Sequence, residues 1–474
     1  MKAMALPRGT VTFSNAFLIA GVAIMALAIG FLPLTVAAAL VVGTASLLVT
    51  LARLEYGLAL LAFTVPFGSL GEIDAGDFSL SATEFIVPLV VLGWGLRMVA
   101  AKEVRISAPW VVWPLLLFLS TMALSLTNSV SLGLSFKEIA KWAEFLAVLV
   151  LIHSAIKERQ QVKFLLGAVL AAGVVAALHG WYQFILREGP ASFLVSDQFL
   201  RAYGFYGQPN PFAGYLLSVA PLALALLLVR FRKQLPWKPL LTAFGIVSAA
   251  ILMTLSRGGL MGLAGASALV ATVGRRTASR PYLPMVILLV SVLSLAISYG
   301  ALPVPGAEEG GPLADFGIFD PSNVAPTPQN WSVVERMALW YSAWDMWKDS
   351  PWLGIGIGNF RAVYPFYALP KWDFGQEHAH NFYLNVLTES GAVGFAAYLI
   401  FLASIFIFAA RALKSALASG WHLGSGVAMG LLAVLLALAI HNFFDNIYVH
   451  GMLVQMGILL GLAPVASRLG EVEG

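Results

Sequence analysis

The chain has 474 residues, of which 59% are hydrophobic and only 11% are charged, and it contains no cysteine. A soluble chain of this length would carry about a quarter charged residues, so the composition excludes an ordinary water-soluble fold. The lack of cysteine excludes disulfides, thiolate nucleophiles and thiolate metal ligands. The net charge is only +4, and the basic residues lie in short segments between apolar runs. We therefore expect no nucleic-acid partner.

Apolar runs long enough to cross a bilayer as helices recur along the chain. They predict an all-α polytopic membrane protein with about 12–14 transmembrane helices. The first run leads into the second without a small-residue cleavage site, so we expect a span there rather than a cleaved signal peptide. The candidate spans are 15–32, 34–51, 55–69, 84–100, 109–127, 138–155, 163–186, 211–230, 239–255, 257–273, 281–300, 391–410, 425–443 and 451–467.

The distribution of lysine and arginine predicts the orientation of these spans. With the N-terminus in the cytoplasm, 19 of the 28 basic residues fall in cytoplasmic segments, whereas 19 of the 24 acidic residues fall outside. The opposite orientation would place the basic excess on the wrong side in nearly every short loop. We therefore predict that both termini are cytoplasmic and that two long segments, about 187–210 and 301–390, are extracytoplasmic.

The spans divide the chain into four parts. These are N-terminal transmembrane helices over 1–200, further transmembrane helices over 201–300, one large extracytoplasmic loop over 301–390 and C-terminal transmembrane helices over 391–474. Late in the loop, apolar residues at three- and four-residue spacing predict an amphipathic helix. They are Val333, Met337, Trp340, Trp344 and Trp347. Such a helix either lies along the membrane interface or packs on the helix bundle as part of a folded cap.

Three polar motifs fall on the extracytoplasmic side in this topology. The first is RAYGFYGQPNP at 201–211, just before the span at 211–230. The second is SRGG at 256–259, between two consecutive spans, and the third is EHAHN at 377–381, where the chain re-enters the membrane. Because the orientation follows from the basic residues in general, the common side of the motifs points to one site.

Arg257 and Arg201 are candidate phosphate ligands. Arg257 has almost no loop around it, so its guanidinium must lie near the membrane interface. A charge at that depth usually faces a polar cavity, and a planar guanidinium suits a phosphate. The alternative for Arg257 is a residue that only anchors helix ends. The alternative for Arg201 is a solvated loop residue, although Gly204, Gly207 and Pro209 predict a shaped turn around it.

His380 is the candidate proton acceptor, because histidine titrates near neutrality and this one lies on the same side as both arginines. The alternative is a purely structural histidine. His378 and His380, with Glu377, also allow a metal site. A histidine pair two residues apart requires an extended segment, however, and no further ligand set is apparent. We therefore expect no metal.

At these residues the sequence resembles the O-antigen ligase/polymerase family of bacterial envelope glycan enzymes. The resemblance covers about the C-terminal 60% of the chain. It rests on RAYGFYGQPNPFAGYL at 201–216, TLSRGGLMGL at 254–263, RMALWYSAWDMWKDSPWLGIGIGNF at 336–360, HAHNFYLNVLTESGAVGF at 378–395 and HNFFDN at 441–446.

The resemblance implies a GT-C-like fold in the cytoplasmic (inner) membrane and transfer of a glycan from an undecaprenyl-pyrophosphate donor to an acceptor hydroxyl at its outer face. It implies that Arg201 and Arg257 bind the donor pyrophosphate and that His380 activates the acceptor. It further implies an inverting, metal-independent glycosyltransferase without a cofactor. The acceptor would be a glycan, a lipid or a protein, which is where polymerase and ligase differ. We add supporting candidates at Arg336, Tyr206, Asn210, Asn381 and His378.

Two other classes of protein remain open. A membrane transporter, for example of inorganic carbon, would place ionisable or helix-breaking residues near mid-membrane. His179 is the main such candidate in the region of the resemblance. A non-catalytic glycan-binding scaffold would carry the same motifs, and turnover of a lipid-linked glycan would distinguish an enzyme from it.

Overall fold

A computed structural model describes residues 34–68, 73–75, 78–195, 199–229, 237–274, 331–372 and 377–468, together with residues 289 and 321. Two antiparallel hairpins pair β1 (Ile73–Ala75) with β2 (Phe78–Leu80) and β3 (Leu194–Val195) with β4 (Phe199–Leu200). The described helices are α1 (Leu34–Ala52), α2 (Leu54–Thr64), α3 (Ala82–Ala101), α4 (Val112–Ser125), α5 (Leu132–Ala155), α6 (Arg159–Leu186), α7 (Pro209–Leu217), α8 (Ala220–Leu228), α9 (Trp237–Met253), α10 (Arg257–Gly274), α11 (Trp331–Asp349), α12 (Phe360–Val363), α13 (Phe382–Ala418), α14 (His422–His441) and α15 (Met452–Arg468).

The predicted all-α polytopic membrane fold is confirmed. Twelve of the fourteen predicted spans coincide with described helices, while the span at 15–32 and nearly all of the span at 281–300 lie outside the described residues. The count of 12–14 spans itself stays a prediction. Among the described residues, five stretches are long and apolar enough to cross a membrane: Ala82–Ala101, Arg159–Leu186, Pro209–Leu228, Phe382–Ala418 and His422–His441.

Helix α14 forms the centre of the bundle and packs against α8, α10, α13 and α15. A helix that is apolar on every side is buried on every side, and α14 is buried along nearly its whole length. Gly430 allows α8 to approach closely, since a Cβ added there would lie 2.7 Å from Leu222 Cδ1. The C-terminal end of α14 is therefore surrounded by other helices, and the polar motifs meet there.

The glycine-rich sequence at 354–358 attaches the segment 331–372 to the helix bundle. Gly354, Gly356 and Gly358 all have positive φ, a conformation that residues with a side chain rarely adopt. A Cβ added to any of them would lie 2.4–2.7 Å from α13 or from residues 129–134, where α5 begins. Glu389 of α13 completes the contact, because its Oε1 accepts the backbone N–H of Phe360 at 3.0 Å.

Helix α11, where the sequence predicted an amphipathic helix, packs against α13. The predicted stripe is not one face of it, since Met337 is buried whereas Trp344 is 47% exposed. The buried residues of α11 combine small and larger side chains. The small ones are Ala338, Ser342 and Ala343, and the larger ones are Val333, Val334, Met337, Leu339 and Met346.

We predict that Gly391→Ala destabilises the protein by more than about 2 kcal/mol. Gly391 interrupts α13 with φ 65° and ψ −172°, a conformation that is essentially restricted to glycine. A Cβ there would also lie 2.3 Å from the backbone carbonyl of Trp352. Thermal unfolding of the detergent-solubilised protein measures the effect.

The matched control is Gly245→Ala in α9, where an added Cβ meets nothing within 4 Å. Alanine favours helix over glycine by about 1 kcal/mol, so this variant should keep or slightly raise the melting temperature. Equal melting temperatures for the two variants would contradict the proposed role of Gly391.

Candidate active site

The polar motifs converge at one end of the bundle, where α14 ends. Four segments meet there: the loop 199–208 before α7, the turn 254–256 between α9 and α10, the segment 377–381 before α13, and the turn 441–446 after α14. Hydrogen bonds join these segments directly. The structure therefore brings together side chains from all three predicted motifs.

Asp445 is the centre of this arrangement. Its Oδ1 lies 2.9 Å from His380 Nδ1, and its Oδ2 accepts a hydrogen bond from Asn210 Nδ2 at 2.7 Å. Asn210 Oδ1 in turn accepts from Arg201 Nη2 at 3.1 Å. The carboxylate side chain is only 2% exposed, so these contacts form in a largely dry environment. One hydrogen-bonded chain thus runs from His380 through Asp445 to Arg201.

Asp445 is ionised in this setting. Burial alone would raise the pKa of its carboxyl, because burial penalises the charged form. The neighbouring His380 and, to a smaller extent, His378 and Arg336 outweigh burial and hold the pKa of the carboxyl well below its usual range. An anionic partner at Nδ1 favours the His380 tautomer that carries its proton there, which leaves Nε2 as the proton acceptor.

His378 supports the segment that carries His380. Its Nδ1 accepts the backbone N–H of His380 at 3.2 Å, and the two rings meet edge to face at 4.5 Å. This contact accompanies a φ of 48° at His380, which is unusual for a residue with a side chain. Burial, with a contribution from His380, lowers the pKa of His378 to about 4. His378 is therefore neutral at pH 7.

Arg201 connects the first motif to the second. Its Nε donates to the backbone carbonyl of Thr254 at 2.9 Å, two residues before the SRGG motif begins at Ser256. The next residue repeats the connection, since the N–H of Ala202 donates to the carbonyl of Met253 at 2.9 Å. The position of Arg201 is therefore set by the same turn that leads into Arg257.

Two further guanidinium groups, those of Arg336 and Arg257, lie close enough to Arg201 to repel its positive charge. Burial and the nearby positive charges of Arg336 and Arg257 lower the pKa of Arg201 to about 10, and Asp445 offsets part of this effect. Arg336 lies half-buried on α11, and Arg257 is exposed at the start of α10. Clustered cations of this kind favour the binding of an anion, and guanidinium groups suit phosphate.

The residues around Arg257 shape the start of α10. Ser256 Oγ accepts the backbone N–H of Gly259 at 3.3 Å, as a helix N-cap does. A Cβ added to Gly258 would lie 2.8 Å from His441 Cδ2, and one added to Gly259 would lie 2.8 Å from a side chain of α7. The motif thus consists of a cap, an exposed arginine and two glycines that permit close packing.

Two of the predicted supporting residues make contacts outside this cluster. Asn381 caps α13, because its Oδ1 accepts the backbone N–H of Leu384 at 3.1 Å. Tyr206 is 2% exposed, and its hydroxyl donates to the backbone carbonyl of Val65 at 3.3 Å. These contacts hold the framework of the site, whereas Asn210 belongs to the hydrogen-bonded chain itself.

The histidines and Asp445 form a possible metal ligand set that the sequence did not reveal. The candidate ligand atoms of His378, His380 and Asp445 lie within 4.8 Å of one another. Glu377 is 76% exposed and pairs with Arg361, so it is not among them. The Nδ1 of His378 already accepts a backbone N–H, and nearby arginines disfavour a further cation. This donor set therefore suits proton transfer better than metal binding.

Sequence reasoning missed Asp445, although it lies within HNFFDN. A carboxylate two residues beyond the end of the predicted span 425–443 is a signal in itself, since ionisable residues beside membrane spans are often functional. Its partner could not be identified that way, because Asn210 and Asp445 are 235 residues apart in the sequence.

The helical bundle is that of a membrane protein, and the cluster combines guanidinium groups, which can bind an anion, with a histidine that can accept a proton. Residues 242–399 match the family described as O-Antigen ligase, which supports the predicted resemblance to the O-antigen ligase/polymerase family. The match supports a glycan-transfer function in the family and implies a membrane glycosyltransferase-like enzyme. The matched segment contains Arg257, Arg336 and His380, whereas Arg201 and Asp445 lie outside it. No curated protein matches the chain.

We predict that His378 makes the stability of the fold depend on pH. The pKa of its side chain falls from 6.5 to about 4 in the fold, so the unfolded chain takes up this proton first as the pH decreases. The stability that neutral His378 contributes is present above pH 6.5 and is lost between that pH and about pH 4. Melting temperatures across this range should therefore fall more steeply for the wild type than for His378→Gln.

The control for this measurement is His422→Gln, at an exposed histidine at the start of α14. That variant should retain the wild-type slope. A wild-type slope in His378→Gln as well would show that His378 is not held neutral by burial.

Proposed function

We propose that this protein transfers a glycan from an undecaprenyl-pyrophosphate donor to an acceptor hydroxyl at the extracytoplasmic face of the cytoplasmic membrane. The observation that carries the proposal is the contact of 2.9 Å between His380 and Asp445, beside a cluster of three arginines. The histidine supplies a base for the acceptor, and the arginines supply a binding site for pyrophosphate. The family assignment supplies the class of substrate.

In the proposed reaction, the acceptor hydroxyl attacks the anomeric carbon of the donor sugar on the side opposite the pyrophosphate. The bond from that carbon to the pyrophosphate oxygen breaks as the new glycosidic bond forms, so the anomeric configuration inverts. The hydroxyl proton passes to Nε2 of His380. Asp445 stabilises the imidazolium that results, and the lipid pyrophosphate leaves with the electrons of the broken bond.

The arginines act on the leaving group. Negative charge grows on the pyrophosphate as the bond breaks, and donors already held in place stabilise it without reorganisation. Arg201 is held in this way, by the carbonyl of Thr254 and by Asn210. Its pKa is lowered by burial and by repulsion from Arg336 and Arg257, and a bound pyrophosphate would relieve that repulsion. We propose that all three contact the donor.

The charges at the other end of the bundle support the extracytoplasmic placement of the site. Arg159 and Arg411 lie over tryptophan rings there, and Arg468 forms hydrogen bonds to His153. Basic residues gather on the cytoplasmic side of membrane proteins. A donor held in the outer leaflet by its lipid would enter the site sideways. The segment 331–372 would cover the site, in a GT-C-like arrangement.

The position of His179 weighs against the transporter alternative. Its ring stacks on Phe205 with a centroid distance of 4.0 Å, and its Nε2 lies 3.0 Å from Gln183 Nε2. Gln183 also donates to the carbonyl of Gly204 at 2.9 Å. His179 therefore supports the loop that carries Arg201, about two turns from the end of α6, rather than a path through mid-membrane.

We predict that Arg257→Ala and His380→Ala each reduce glycan transfer at least about 100-fold, because each removes a group that acts in the transition state. The assay uses the purified protein in proteoliposomes with an undecaprenyl-pyrophosphate glycan and measures product and released lipid pyrophosphate. Arg361→Ala is the control, since Arg361 is 66% exposed and pairs only loosely with Glu377.

Wild-type turnover in either variant would contradict the assigned roles. Donor binding without turnover in the wild type would favour a glycan-binding scaffold. A chelator such as EDTA should leave turnover unchanged, and a loss of activity that a divalent cation restores would contradict the metal-independent mechanism.

We predict that Asp445→Asn lowers kcat by roughly 10²-fold or more, because it removes the charge that holds and stabilises the His380 imidazole. The KM of the donor should change much less, since the arginines remain. Asp349→Asn is the control at a residue whose carboxylate accepts a hydrogen bond from Tyr367 in an exposed position. A wild-type kcat in Asp445→Asn would rule out this role for Asp445.

A further inference from the structure

The turn after α14 has two polar side chains that reach different parts of the site. Asp445, at one end of the turn, contacts His380 and Asn210. His441, the last residue of α14, contacts the SRGG motif instead, because its Nε2 lies 3.4 Å from Ser256 Oγ. Neither the mechanism nor the family match assigns a role to this second histidine.

His441 is fully buried, and an imidazole buried without hydrogen bonds costs free energy. Within the described part of the chain, its Nδ1 has no hydrogen-bond partner, so the contact with Ser256 is the ring's single hydrogen bond. The ring also packs against the start of α10, where a Cβ added to Gly258 would lie 2.8 Å from His441 Cδ2. Both contacts are made to residues that flank Arg257, namely Ser256 and Gly258.

The turn that precedes Arg257 needs such support. Leu255 has a φ of 50°, a conformation that residues with a side chain adopt only at a cost. Arg201 holds one side of the turn through the carbonyl of Thr254. His441 holds the other side through Ser256, whose Oγ also caps α10 by accepting the N–H of Gly259.

We infer that His441 is a positioning residue for Arg257 in the donor pyrophosphate site. It fixes the Ser256 hydroxyl and the first turn of α10, and through them the point from which the Arg257 side chain extends. The turn 441–446 would then position both halves of the site, with Asp445 acting on the base and His441 acting on a phosphate ligand. This inference rests on the proposed function of the site.

The test compares His441→Gln with His441→Leu. Glutamine places its side-chain amide at about the reach of Nε2 and can keep the hydrogen bond to Ser256, whereas leucine fills similar space without it. We expect the KM of the lipid-pyrophosphate donor to rise about two- to tenfold in His441→Leu, the effect of losing one hydrogen bond of ordinary strength. His441→Gln should stay within about twofold of the wild type.

Ser256→Ala removes the same hydrogen bond from the other side and serves if His441→Leu does not fold. It should raise the donor KM at least as much, and adding His441→Leu to it should cause little further increase, since the two residues act through one contact. The KM of the acceptor should not change. A general structural defect would instead raise both KM values and lower the melting temperature in proportion.

An unchanged donor KM in both His441→Leu and Ser256→Ala would overturn the inference, as would an equal defect in His441→Gln and His441→Leu. If the wild type transfers no glycan, the proposed function fails separately. Binding of farnesyl pyrophosphate to the solubilised protein then still tests the inference. Binding should weaken in Arg257→Ala and in His441→Leu but not in His441→Gln, and unchanged binding in His441→Leu would overturn it.

Discussion

A carboxylate that is buried at the edge of a membrane bundle must have partners, because an unpaired charge in such a place costs several kcal/mol. Asp445 meets this requirement with a histidine on one oxygen and an amide on the other. Its two partners come from different segments, since His380 precedes α13 and Asn210 lies in the first turn of α7. Their positions therefore depend on this one anion. Without Asp445, the chain of hydrogen bonds from His380 to Arg201 would be interrupted.

Residues 351–360 lie against α5 and α13 through glycines that no other residue could replace without displacing the backbone. The segment 377–381, which carries His380, follows later in the chain. Its C-terminal end is capped by Asn381 and tied to the turn after α14, because the N–H of Phe382 donates to the carbonyl of Asn442 at 2.8 Å. A base for proton transfer has to stay within hydrogen-bond reach of its substrate, and this attachment provides that rigidity.

The arginines, unlike Asp445, lie next to charges of the same sign. Arg257 and Arg336 both repel Arg201, which a structure optimised for stability alone would avoid. Functional sites commonly carry such locally unfavourable arrangements, with compensation elsewhere in the fold. Here the compensation includes Asp445 and the carbonyl of Thr254. In the proposed reaction, a bound pyrophosphate would relieve the repulsion that remains.

The class of fold, the positions of most helices and the candidate residues Arg201, Arg257 and His380 could be predicted from the amino-acid sequence. Hydropathy and charge bias are sums over neighbouring residues, so they can be evaluated along the chain without knowing the fold. Two contacts became evident only from the folded structure. Asp445 contacts His380, and Tyr206 contacts the backbone of Val65, 141 residues away. Hydrogen bonds across such separations depend on which helix ends meet, and packing around α14 decides this.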